Sequence, residues 1–189
     1  MERWKVKLGK IIIAPHYIEV VGPVIYLAGP MQGAADWQKE AIQYIHNKKP
    51  RLHIASPRRP TLGKVPFTEA DFHEQVDWEH SYLQRASEKG VILFWLAKEF
   101  EHRCDRAYAQ TTRFELGEAA VLHKFTSTKV VVGIENGFSG ARYIRKTLSK
   151  KYPQIPIYDN LKEACDAAIR IAIQKKRRCN STSFYLQII

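Results

Sequence analysis

The chain has 189 residues, enough for one domain with a full core. Hydrophobic residues make up 45% and charged residues 26%, and no apolar run approaches the roughly 18 residues of a membrane span. Lys and Arg number 30 against 19 Asp and Glu, a net charge of +11 that favours an anionic partner such as a nucleotide.

Cys104, Cys165 and Cys179 are far apart, which indicates neither a disulfide framework nor a zinc ribbon. Ile11 to Ile13 is too short for a secretory signal core, so the expected location is cytoplasmic. Lys175 to Arg178 forms a basic run, read as a solvated tail. Without an aromatic-basic interleave, a nucleic-acid partner is not expected.

In chain order, Val24 to Ala28 predicts a buried strand, closed by Gly29-Pro30. Ala34 to Ile45 predicts a helix with Trp37, Ala41 and Ile45 on one face. Leu52 to Ala55 predicts a second strand, ending at Ser56-Pro57-Arg58-Arg59-Pro60, with Thr61 to Pro66 as a loop. A helix from Glu69 to Ser87 carries Phe72, Val76, Leu83 and Ala86 as its apolar stripe. Val91 to Leu96 is a strand, and Lys98 to Gln110 a loop or mobile helix. Arg113 to His123 is a helix, Lys129 to Ile134 a strand, and Ala141 to Leu148 a helix. Ile155 to Tyr158 and Leu161 to Ile173 end the series as strand and helix. Five strands alternating with helices predict an α/β domain with a mostly parallel sheet, helices covering both faces. Residues 23–173 form this domain, 1–22 an extension able to add an edge strand, and 174–189 a tail.

Ligands of such sheets bind beyond the carboxyl ends of the strands. The Gly29 to Gly33 segment lies there but is neither a dinucleotide fingerprint nor a P-loop. Glu115 has two readings. It completes a capping box with Thr112, or it faces the pocket from a helix N-terminus. Glu79 falls on the apolar stripe, so it is either paired with an arginine or kept for chemistry. Arg58 and Arg59 either hold a phosphate or serve the loop, as caps or as partners of Glu79. His73-Glu74-x-x-Asp77 lacks the second histidine of a zincin motif, so no metal and no cofactor are expected.

Taken in order, Val24 to Pro30, Trp37-Gln38, Ser56 to Arg59, Val76 to Glu79, Val91 to Trp95 and Thr112 to Gly117 resemble the nucleoside 2-deoxyribosyltransferase-like proteins. This family includes nucleoside and nucleotide N-glycoside hydrolases. The resemblance implies a flavodoxin-like (Rossmann-like), doubly wound fold, here with five strands. It also implies a homo-oligomer, a nucleoside or nucleotide substrate, and a covalent glycosyl-enzyme. Within it, Glu115 takes the place of the nucleophile, Tyr26 of the tyrosine that orients it, and Glu79 of an acidic sugar contact. Gly29, Pro30, Arg58, Arg59, Asp77, Trp95 and Gly117 lie in the same segments and are the remaining expected substrate contacts. One departure is local: Tyr108 to Thr112 carries no counterpart of the aspartate that serves the leaving base in the transferases. A catalytically inactive nucleotide sensor on the same fold is the alternative.

Overall fold

A computed structural model describes residues 8–60 and 66–174. The tail from 175 onward, and most of the expected loop Thr61 to Pro66, lie outside these residues. The strands are β1 (Ile11–Ile13), β2 (Val24–Ala28), β3 (His53–Ser56), β4 (Gly90–Leu96), β5 (Val130–Ile134) and β6 (Ile157–Tyr158). The helices are α1 (Trp37–Lys48), α2 (Glu69–Lys89), α3 (Gln110–Phe125), α4 (Ala141–Lys151) and α5 (Leu161–Ile173).

The strands form one parallel sheet in the order β1-β3-β2-β4-β5-β6. The sheet therefore has six strands among the described residues, not five. The extra one is β1, which pairs Ile11 with Ile54 and Ile13 with Ser56. Parallel pairing requires crossovers, which the helices supply on both faces.

Side chains alternate across each strand, and this alternation separates two cores. Tyr26 and Ala28 of β2, with Ile92 and Phe94 of β4, pack against Trp78 and Tyr82 of α2 and Leu116 of α3. Ile25, Leu27, Leu93 and Trp95 face the other way, against Trp37, Ala41 and Ile45 of α1 and Ala164 and Ala168 of α5. The chain leaves β2 for α1 on one face and leaves β4 for α3 on the other. The crevice between the ends of β2 and β4 is thus the switch point of the sheet.

Three expectations change here. Helix α1 begins at Trp37 because Asp36 caps it, accepting a hydrogen bond from the Lys39 amide. On α2 the buried stripe is Gln75, Trp78, Tyr82 and Ala86, whereas Phe72 is 49% exposed. The cause is the segment before β2, which lies along this helix. Trp78 Nε1 donates to the His16 carbonyl at 2.9 Å, and the Tyr82 hydroxyl accepts from the Ile18 amide at 2.8 Å. Aromatic side chains with a polar tip are satisfied there, so they displace the purely apolar stripe. Helix α3 starts at Gln110 behind Ala109, which has φ 54° and provides no side-chain cap. Thr112 is therefore inside the helix and buried, and the Thr112–Glu115 capping box does not form. The true capping box is Thr68–Asp71, at the start of α2.

Candidate active site

The loop after β2 approaches its surroundings too closely for a side chain. A Cβ on Gly29 would lie 2.3 Å from the Trp95 carbonyl oxygen and 2.7 Å from the Trp37 ring, and its φ is 152°. Only glycine fits. Trp37 Nε1 donates to the Pro30 carbonyl at 2.9 Å, and Arg58 Nη1 donates to the Met31 carbonyl at 2.9 Å. The loop is thus fixed from two sides at the switch point.

Glu79 and Glu115 both act on Tyr26, and Glu79 acts on Glu115. Burial pushes the Glu115 carboxyl up to about 8, with further contributions from the charges of Glu79 and Glu118. Burial also raises Glu79, opposed by a hydrogen bond from Gln75 and by the charges of His80 and Arg59. The Tyr26 hydroxyl is raised well above its ordinary value by burial, then by Glu79 and Glu115. Two carboxylates in one low-dielectric site cannot both ionise cheaply near neutral pH, so they titrate as a pair. Tyr26 keeps its proton and remains a hydrogen-bond donor.

Glu79 is held by a relay that sequence reading missed. Gln75 Nε2 donates to Glu79 Oε1 and to the Pro57 carbonyl, each at 2.8 Å. Gln75 Oε1 accepts from Arg59 Nε at 2.7 Å. Arg59 also pairs with Asp71 at 3.2 Å and Glu74 at 2.8 Å. Arg59 therefore reaches Glu79 through Gln75 rather than by direct pairing. The spacing of 75 and 79 by one helical turn was the available signal, but a glutamine there reads as a solvated face. Arg58 pairs with Asp36 at 3.3 Å. Tyr108 is a second missed residue. Its hydroxyl lies 2.8 Å from the Ala97 carbonyl oxygen and 3.1 Å from that of Lys98, anchoring the long β4–α3 loop.

Three expected contacts lie elsewhere. Asp77 is exposed, two positions from Glu79 and so on the far side of α2. Gly117 stands in the same relation to Glu115 on α3, exposed and facing open space. Trp95 is buried in the opposite core, packed over Gly133, where a Cβ would lie 2.4 Å from its ring. Only its carbonyl abuts Gly29.

The clefts on the described surface include two of about 450 Å³, and neither of these borders Glu115. Among the described residues no group of three His, Cys, Asp or Glu could hold a metal. No described helix is long and apolar enough to cross a membrane.

The architecture defines a flavodoxin-like α/β domain with an acidic cluster at its switch point. Residues 22–138 match the family model described as nucleoside 2-deoxyribosyltransferase like, and the chain belongs to that family. No curated protein matches the chain.

Proposed function

We propose that this protein cleaves or transfers the N-glycosidic bond of a (deoxy)nucleoside or nucleotide, with Glu115 as the attacking carboxylate. The observation that supports the reading is a set of buried groups in which Glu79 and Glu115 both act on Tyr26 and Glu79 acts on Glu115. Breaking a C1′–N bond builds oxocarbenium character on the sugar. The ionised form of Glu115 attacks C1′ as the bond electrons leave with the base, which takes up a proton. Water or a second base then displaces the glutamate and completes hydrolysis or transfer.

The raised pKa values suit this division of work. With one proton shared by Glu79 and Glu115, the pair supplies a protonated carboxyl for a sugar hydroxyl and a carboxylate for C1′. In the reaction the Tyr26 hydroxyl, which burial and the two carboxylates keep protonated, is the donor that orients this carboxylate. Gly29 and Pro30 bring the backbone close to the ligand, while Arg58 fixes their loop. Arg59 biases Glu79 through Gln75. The Thr112–Glu115 capping box does not form, which removes one structural role for Glu115.

The test is a panel of nucleosides and nucleotides, with free base scored by chromatography. Base should appear with the native protein and fall by orders of magnitude with a folded Glu115→Gln variant. Tight binding with no base from any substrate would instead assign a sensing role to the same fold. Base release at the native rate from the variant refutes Glu115 as nucleophile.

A further inference from the structure

The cleft between α1 and the ends of β1 and β3 has a polar lining in which Gln38 and Lys39 have no part in the reaction. Its volume is about 450 Å³, within the usual range of small-molecule sites. Ile13 and Ile42 line it beside Gln38, Lys39, Ser56, Arg58 and Arg59, with the Asp36 carboxylate that pairs with Arg58. Gln38 is the informative residue. It is only 1% exposed, yet its Nε2 has no hydrogen-bond partner among the described residues, while its Oε1 receives Arg58 Nη1 at 3.5 Å. A buried donor left without a partner is destabilising and calls for an explanation.

The charges are unbalanced in one direction. Arg58 is matched by Asp36 and Arg59 by Asp71 and Glu74, but Lys39 makes no ion pair among the described residues. The amide of Gln38, the ammonium of Lys39, the guanidinium of Arg58 and the hydroxyl of Ser56 are all hydrogen-bond donors in this lining. A phosphoryl group carries enough acceptor oxygens to meet several of them at once. The cleft is also much larger than a phosphate, and Ile13 and Ile42 suit the body of a phosphate ester.

We propose that this cleft is a second small-molecule site, which binds a phosphomonoester through Gln38, Lys39 and Arg58. It shares Arg58 and Arg59 with the surroundings of the Tyr26–Glu79–Glu115 cluster but does not rest on the reaction assigned there. Its occupant would take the acceptor place that Gln38 Nε2 lacks.

Titration calorimetry on the full chain tests this with adenosine monophosphate, inorganic phosphate and adenosine. The monophosphate should bind, adenosine should not bind in this cleft, and inorganic phosphate reports the contribution of the phosphoryl group alone. Lys39→Glu reverses an exposed charge without disturbing the core. It should weaken monophosphate binding tenfold or more at an unchanged melting temperature. Gln38→Leu should weaken it similarly, and should keep or raise the melting temperature because it removes an unpaired donor. Inorganic phosphate binding as tightly as the monophosphate, with both lost in Lys39→Glu, would keep the phosphoryl site and identify the free anion as its ligand. Equal monophosphate affinity in native, Lys39→Glu and Gln38→Leu proteins overturns the proposal, as does the absence of any phosphate-dependent heat.

Discussion

Glu115→Gln separates a catalytic carboxyl from a structural one through stability as well as rate. An unfolded glutamate ionises near 4.5, while the folded Glu115 keeps its proton up to about 8. Between those values the native state binds more protons than the unfolded state, so stability falls as pH rises through the window. At about 1.4 kcal/mol per pH unit, the limiting penalty above pH 8 is ~5 kcal/mol. Solvent screening at this partly buried group leaves on the order of 2 kcal/mol of it. Glutamine carries no such penalty. In a chain of this length, about 2 kcal/mol corresponds to roughly 4–8 °C. Melting curves by circular dichroism from pH 4.5 to 8.5 should therefore converge at the acid end, with the variant melting several degrees higher at the alkaline end. At every pH the variant should release almost no base. A variant that melts lower than the native protein by the same margin at all pH values would refute the reasoning, since that is how a lost structural contact behaves.

Gln75→Leu should unlink Arg59 from Glu79. It removes the hydrogen bond that holds Glu79 down, so the alkaline shift of the carboxylate pair should grow. The pH–rate profile reads this, beside a stability loss of about 1–3 kcal/mol from the unpaired Pro57 carbonyl and Arg59 Nε. Gly29→Ala should cost about 2–4 kcal/mol in urea unfolding and abolish base release, because the new methyl collides with the Trp95 carbonyl. Little loss of stability would show that the loop can move aside.

Much of the sheet is legible as short apolar runs bounded by turn residues. Val24 to Ala28 and Val91 to Leu96 appear almost where β2 and β4 do. Short runs carry no register, however, and register decides which face a side chain takes. Trp95 illustrates this, since it lies one residue from Phe94 and faces the opposite core. Asp77 and Gly117 fail for the helical counterpart of that reason, each being 200° around its helix from a carboxylate of the cluster. Glu79 was placed correctly near a buried face, although the stripe that marked it was not the one that packs. Aromatic residues with polar tips took the inner positions because a carbonyl from a distant segment met them. Such partners, like the Gln75 relay, are set by tertiary contact and leave no local trace. The capping-box motif at Thr112 misled because the helix had room to begin earlier, at a residue with no capping side chain.

The segment ahead of β2 has a consequence for where this domain can be cut. The family match begins at residue 22. The contacts that seat α2 begin earlier: Trp78 on His16, Tyr82 on Ile18, and Arg85 Nη2 on the carbonyls of Val20 and Gly22 at 2.9 and 3.1 Å. Ile12 and Ala14 are fully buried, and β1 shields the edge of β3. A fragment trimmed to the homologous boundary would therefore bare two aromatic rings and a strand edge, and would loosen the helix that carries Glu79. The stretch shared by descent and the stretch that folds as a unit have different ends here. A residue contributed by the unmatched stretch thus sets the footing of a carboxylate contributed by the matched one.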